Sequence, residues 1–298
     1  MKPFPSLEIV PPLNGITKAE LLESIRPLLE FGPRYINVTC HRDEYEFRPE
    51  PDGSFTRHLL RKRISQTAVC AAVQAAFPDV EVVPHLICGG ASAEQIESQL
   101  QDFKFMGIRN ILVLRGDAAT GEKRFTPEPD GYAHAEDLVS AIRRFERTEG
   151  GERRFTLGVA GYPEKHFESP NLDTDIQFLK RKVDAGADQI ITQMFFDNAV
   201  FYDFVRRCRA AGITVPIIPG IKPLSSARQV DLLPESFSID IPLALTAEVA
   251  AHPDQAYRIG QEWCREQCRD LLANGVQEIH FYTMGRSDNV ISVLKDCF

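Results

Sequence analysis

No run of apolar residues in this 298-residue chain approaches the length of a membrane span, and the N-terminus MKPFPSLEIV lacks the layout of a signal peptide. The protein is therefore expected in the cytoplasm. An excess of positive charge is also missing. Lys+Arg 34 against Asp+Glu 42 gives a net charge of −8, with no block of like charges, which argues against nucleic acid or an anionic membrane as the main ligand. The seven cysteines contain no C-x-x-C pair and are odd in number, so they read as reduced thiols rather than a disulfide framework. Cys264 and Cys268, four apart on an expected helix, fit buried packing better than metal ligation, and no metal is expected. Neither a strand followed by G-x-G-x-x-G nor a G-x-x-x-x-G-K-[ST] loop occurs, so both common nucleotide fingerprints are absent.

What is present is a chain 43% hydrophobic, able to bury a sizeable core, in which strand-like and helix-like segments alternate. Residues 111–114 (ILVL) read as one buried strand, preceded by an amphipathic segment at 93–106 and a stop at Gly107. The other expected strands are 6–10, 35–39, 81–86, 155–162, 189–196, 215–221 and 278–284. Helices are expected over 17–31, 57–77, 135–147, 173–186, 198–211 and 253–274, with a polar loop at 40–56 and short helices over the mouth within 225–251. Thr17 and Glu20 form a capping-box pattern, and Gly32-Pro33 marks the stop of that helix. Eight β-then-α units in a chain near the ~250 residues typical of the fold point to a (β/α)8 TIM barrel, a single α/β domain over 1–298; an open doubly wound sheet with a cap is the alternative.

Polar residues collect at the expected strand ends: Glu8, Thr39, His85, Arg115, Asp117, Tyr162, Gln193 and Tyr282, from seven strands. Closure of a barrel would bring them to one mouth, where active sites of this fold are assembled. Glu8 is a misfit inside a short apolar run. Arg115-Gly116-Asp117 offers a cation, a glycine permitting close backbone approach and a carboxylate directly after a buried strand. Singly, each has an ordinary structural explanation: a satisfied core histidine for His85, rim aromatics for Tyr162 and Tyr282, a backbone cap for Gln193.

Several motifs then carry a resemblance: LEIVPP (7–12), PHL (84–86), GIRN (107–110) running to LRGD (114–117), YPE (162–164), KRKVDAGA (180–187), ITQ (191–193), 216–221 and HFYT (280–283). In this order, from first strand to last, they resemble the methylenetetrahydrofolate reductase family, flavin barrels of one-carbon metabolism. The resemblance implies FAD, with Thr39, His85, Leu114, Arg115, Gly116, Asp117, Tyr132, Ala133, Tyr162, His166, Asp175 and Lys182 as its contacts, His166 and Lys182 serving the pyrophosphate. It implies Glu8 as general acid, and Asp117 beside the isoalloxazine, stabilising a cationic folate. Gln193, Leu233, Tyr282 and Arg286, with Glu8, are the implied folate contacts. The implied activity is NAD(P)H-dependent, ping-pong reduction of 5,10-methylenetetrahydrofolate to 5-methyltetrahydrofolate for methionine synthesis, by a homo-oligomer confined to the catalytic barrel, without the adenosylmethionine-responsive domain of longer relatives.

The chain departs from the family pattern at Ile9 and Val10, where aromatics are usual, at Cys40, at Leu233 in place of a phenylalanine, and at Gly285 before Arg286. These changes bear on pocket shape and the choice of NADH or NADPH. A proline dehydrogenase-like flavin barrel would share the architecture without needing Glu8, Gln193 and HFYT together, and a non-catalytic subunit is the non-enzymatic alternative. A flavin spectrum bleached by reduced nicotinamide and restored by the folate separates all three.

Overall fold

The computed structural model describes residues 2–60, 62–150 and 154–298. In chain order the strands are β1 (Phe4–Ile9), β2 (Tyr35–Val38), β3 (Glu44–Pro49), β4 (Phe55–Leu60), β5 (Glu81–Ile87), β6 (Asn110–Leu114), β7 (Thr156–Gly161), β8 (Gln189–Met194), β9 (Ile217–Ile221) and β10 (Glu278–Tyr282). Eight of them close a parallel barrel in the order β1, β2, β5, β6, β7, β8, β9, β10, with β10 pairing back to β1. The helices α1 (Lys18–Leu29), α2 (Gln66–Ala76), α3 (Ala93–Phe105), α4 (Ala135–Thr148), α5 (Leu172–Asp184), α6 (Asn198–Ala210), α7 (Gln229–Phe237), α8 (Leu243–Ala251), α9 (Ala256–Ala273) and α10 (Ser287–Cys297) complete the chain. The (β/α)8 barrel expected from the alternation of segments is therefore the fold.

Alternation along each strand sends one set of side chains outward and the other inward. Outward, Leu7, Ile36, Ile111, Val159, Ile190 and Phe281 are fully buried against the helical ring. Inward, Tyr35, Val83, Leu112, Ile191 and Ile218 make an apolar cluster. The wall built from β1, β2 and β10 is different, because its inward residues include Ser6, Glu8, Asn37 and His280. A second apolar cluster of Met194, Phe196, Leu224, Leu233, Ile239 and Leu245 lies under the short α7 and α8, the two helices expected within 225–251.

Local chemistry explains the element ends. Thr17 and Glu20 form the expected capping box, with Glu20 Oε2 accepting from the Thr17 N–H at 2.7 Å and Thr17 Oγ1 accepting from the Glu20 N–H at 3.2 Å. On α4, Arg143 turns inward and donates to Glu146, to Asp188 and to the carbonyls of Phe155 and Gly186. Glu146 in turn accepts from the N–H groups of Arg154 and Phe155. This buried cation is fully partnered, which is the condition for burying it.

One stretch departs from expectation. The segment read as a polar loop (40–56) followed by a helix (57–77) forms the antiparallel hairpin β3–β4, and α2 begins only at Gln66, capped by Ser65. Arg61 lies outside the described residues. The alternation of Tyr45, Phe47 and Pro49 with Glu44, Glu46 and Arg48 across the turn at Pro51-Asp52-Gly53-Ser54 is a hairpin signal. Helix α10 was also not anticipated, and most other ends differ by one to three residues, as fraying of ends makes usual.

Barrel closure depends on a close approach at Gly220, where an added Cβ would lie 2.2 Å from the Thr192 carbonyl oxygen and 2.6 Å from the Tyr282 ring. Gly220→Ala should lower unfolding free energy by about 2 kcal/mol or more, the upper part of the range for overpacking, read as a shift in urea midpoint.

Candidate functional site

The C-terminal strand ends carry two connected sets of side chains. In the barrel mouth, Glu8 shares its level with Tyr282 on one neighbouring strand and Asn37 on the other. Its backbone carbonyl accepts from Thr283 Oγ1 at 2.6 Å, so the HFYT segment fixes the strand that carries it. Glu8 is 7% exposed, and desolvation pushes its carboxyl up to about 8. His85 Nε2 stands 3.6 Å from Glu8 Oε2, yet burial, reinforced by His280 and His41, pushes the ring down to about 3. At neutral pH the contact is accordingly between a protonated carboxyl and a neutral imidazole, not an ion pair. Gln66, at the start of α2, sets the histidine: its Nε2 donates to the carbonyls of Val38 and His85 at 2.7 and 2.8 Å, tying the ends of β2 and β5 together.

The second set lines a cavity of about 240 Å³ between the ends of β6 and β7 and the helices α4 and α5. Of the residues expected to meet FAD, Leu114, Arg115, Tyr162, His166, Asp175 and Lys182 line it. Lys182 donates to the Ala160 carbonyl at 2.9 Å, and burial lowers its ammonium to about 8. His166 Nδ1 accepts from the Glu168 N–H, so a neutral ring carries its proton on Nε2. Arg115 pairs with Glu168 and lies 4.9 Å from the Phe125 ring centroid. Asp175 is spent on the loop, accepting from the His166 N–H and from Ser169 Oγ. Tyr162 joins the two sets: its hydroxyl is raised by burial first, then by Asp175, and it acts in turn on Tyr282.

Other expected residues fall elsewhere. Thr39 is buried on the mouth side with Oγ1 unpartnered, and Gly116 (φ +83) packs on Ile87, with exposed Asp117 beyond it. Tyr132 and Ala133 are half-buried and precede the cavity-lining His134 rather than lining the cavity themselves. The Tyr282 hydroxyl donates to the Thr192 carbonyl at 2.6 Å, and Gln193 Oε1 accepts from the Met194 N–H at 2.9 Å. Leu233 is buried in the cluster under α7 and α8, against which the mouth residue Tyr282 also packs. Arg286 points out and pairs with Asp288. Sequence reasoning missed Gln66, His134, Phe178 and Arg181, of which only the last two had a signal, the same-face spacing of 178, 181 and 182 on α5.

The donors Arg115, Lys182 and His166 Nε2, with Arg181 on the same wall, fit a dianionic group such as a pyrophosphate, and the apolar lining from Val113, Leu114 and Phe178 fits an attached planar or aliphatic part. Among the described residues no group of three His, Cys, Asp or Glu side chains could hold a metal, and no helix is long and apolar enough to cross a membrane.

A parallel (β/α)8 barrel with a buried carboxyl in its mouth and a cleft lined by Arg115, Arg181 and Lys182 beside it has the layout of an enzyme barrel. The family model for methylenetetrahydrofolate reductase matches residues 1–297, and the chain belongs to that family. It is 34% identical to methylenetetrahydrofolate reductase (NADH) 1 of Arabidopsis thaliana over 98% of this chain and 48% of that protein. It is 31% identical to the 5,10-methylenetetrahydrofolate reductase of Escherichia coli, over 95% of this chain and 86% of that one. The chain thus spans about half the length of the plant relative and most of the bacterial one. Among solved structures, a Clostridium thermocellum protein described as binding two copies of 5-methyl-5,6,7,8-tetrahydrofolic acid shares the fold at a TM-score of 0.60 and 13% identity, covering 99% of this chain and 95% of that one.

A carboxyl whose folded pKa is raised stabilises the fold fully below its ordinary range, and that contribution is lost as pH rises through the folded value. Relative to Glu8→Gln, the wild-type protein should lose about 1.4 kcal/mol of stability per pH unit between the ordinary carboxyl range and about 8. Facing Glu8 are the neutral His85, Asn37 and the protonated Tyr282, none of which changes charge between pH 6.5 and 8. Denaturant titrations of both proteins across that interval measure the difference; parallel curves would show that Glu8 ionises normally.

Proposed function

We propose that this protein is a flavin-dependent methylenetetrahydrofolate reductase that uses NADH or NADPH and releases 5-methyltetrahydrofolate, the methyl source for methionine synthesis. The observation that carries the reading is Glu8: a carboxyl held protonated at neutral pH by burial, in the mouth of a barrel of this family. When bound, FAD supplies a hydride carrier that the two substrates visit in turn.

Everything else falls to the chain's own groups. Arg115, Lys182 and His166 Nε2 hold the pyrophosphate of the cofactor in the cleft. Glu8 gives its proton to the folate nitrogen that leaves when the methylene bridge opens, which turns the bridge into an electrophilic iminium. Neutral His85 at 3.6 Å keeps the carboxylate left behind from facing bare hydrocarbon. Asp117, on the exposed turn after β6, supplies negative charge toward the cationic folate, and the Gln193 amide meets the pterin edge. Tyr282, its hydroxyl fixed on Thr192, offers the folate its ring.

Glu8→Gln separates the two halves of the cycle. Flavin reduction by the nicotinamide should stay within a few-fold of wild type in stopped flow, while reoxidation by methylenetetrahydrofolate should fall by roughly 10² or more, the scale of a lost general acid. Equal slowing of both halves would move the acid elsewhere and leave Glu8 a structural role.

Lys182→Ala removes a cation expected beside a dianion. The variant should purify with less FAD and melt at lower temperature, with the loss restored by added FAD. Full flavin content after dilution would reduce Lys182 to its hydrogen bond with Ala160.

A further inference from the structure

Helix α7 is lightly held. Of its nine residues only Leu233 is buried. Its first turn is tied by Gln229, whose Oε1 accepts from the Ser225 N–H at 2.8 Å and from Lys222 Nζ at 3.2 Å. Beyond its far end, in the link to α8, the Asp240 N–H donates to Glu164 Oε2 at 3.0 Å, across 76 residues of chain. Next to Asp240, Ile239 enters the cluster with Leu233, Met194 and Phe196, and Tyr282 packs against that cluster. A helix with so little apolar burial takes its place from such polar ties at its two ends.

Glu164 belongs to a turn that also serves the cleft. The Lys165 N–H donates to the Tyr162 carbonyl at 3.1 Å, closing a turn from which Tyr162 and His166 line the cleft while Glu164 reaches the link between α7 and α8. Lys165 stands at φ +87, and Ser238, two residues before Asp240, at φ +53. Among the described residues, the only other non-glycine at positive φ is Met284, directly after the HFYT segment. Left-handed backbone is strained for residues with a side chain, persists where the surroundings hold it, and gathers at functional sites. Here it flanks both partners of one hydrogen bond. Glu164 is itself held against resistance: burial, then the carboxylates of Asp240 and Asp197, push its carboxyl up to about 7 against the pull of the Asp240 N–H.

We propose that Glu164 is a positioning residue for the folate: its bond to the Asp240 N–H holds the end of α7, and with it Ile239 and Leu233, where they back the Tyr282 ring. The proposal rests on the reading of the mouth as the folate site. Glu164 touches neither substrate nor cofactor in this role and transfers no proton. It acts through the cluster, from the same turn that carries His166 to the cofactor, so one short loop sets both the cofactor cleft and the wall behind the folate.

Glu164→Ala removes the acceptor, whereas Glu164→Gln keeps an amide oxygen in its place. Flavin-loaded proteins, reduced without oxygen and mixed with a series of methylenetetrahydrofolate concentrations, give the saturating reoxidation rate and the half-saturating concentration separately. Glu164→Ala should need roughly tenfold more folate for half saturation, the scale of one lost hydrogen bond to a carboxylate, with its saturating rate within about twofold of wild type. Its flavin content and its flavin reduction at saturating nicotinamide should match wild type, and Glu164→Gln should stay within about twofold of wild type throughout. Lys165→Gly, which adopts positive φ freely, should leave half saturation unchanged, while Lys165→Val, β-branched and ill suited to that backbone, should raise it as Glu164→Ala does. Wild-type half saturation in Glu164→Ala would overturn the proposal. So would an equal rise in Glu164→Gln, because the acceptor would then not be what matters, and so would loss of flavin from Glu164→Ala, because the turn would then serve the cofactor alone. A wild-type flavin that the folate does not reoxidise is a different result: it removes the functional reading, and the positioning of folate falls with it.

Discussion

Everything in the barrel mouth depends on how β1 is held between β10 and β2. The strand is only six residues long, and the alternation of its side chains decides which of them are inside: Ser6 and Glu8 inward, Leu7 and Ile9 outward. A slip of one residue would send the carboxylate into the helical layer and a leucine into the mouth. The register is secured from both sides, by pairing of Glu8 with Tyr282 and Asn37 and by the bond from Thr283 to the Glu8 carbonyl. The two prolines that follow end the strand where the mouth begins.

The electrostatics of Glu8 follow from that placement. An inward carboxyl buried among neutral side chains is poorly solvated as an anion, and neither the neutral His85 nor Tyr282 offers it a positive charge, so it keeps its proton. The adjacent cleft is governed by the opposite demand. There Arg115 at the edge of β6 and Arg181 and Lys182 on α5 gather cationic groups, while Glu168 and Asp175 hold the loop that shapes the wall. A neutral acid inside and a cationic shelf outside are what proton donation to one ligand and retention of a polyanionic one require, and Tyr162 marks where they meet.

Stability and function draw on different parts of the molecule. The lock of Arg143, Glu146 and Asp188 ties α4 to the start of β7 and the turn before β8, far along the strands from the mouth. Its charges are buried but mutually satisfied. Those of the interior wall are not, and Asn37 and His280 leave polar atoms without protein partners.

By itself, the sequence determined the alternation of strand and helix, the barrel that eight such units imply, and the misfit of Glu8 in an apolar run, because period and burial are local properties of the chain. The strand-end residues Arg115 and Tyr162 were legible for the same reason, whereas His166 in the loop after β7 and Lys182 on α5 were singled out only through the family resemblance. The hairpin β3–β4 was readable in the alternation around Pro51-Asp52-Gly53-Ser54 but was hidden by an overall polar composition. Tertiary structure alone decided the rest. That Leu233 joins the cluster under α7, that the Tyr282 hydroxyl is bound to Thr192, and that Gln66 clamps the strand carrying His85 all depend on neighbours tens of residues away. So does the polar wall of Ser6, Glu8 and His280, since strands first and last in the chain become neighbours only when the barrel closes, and no local period records which polar side chains closure will place side by side.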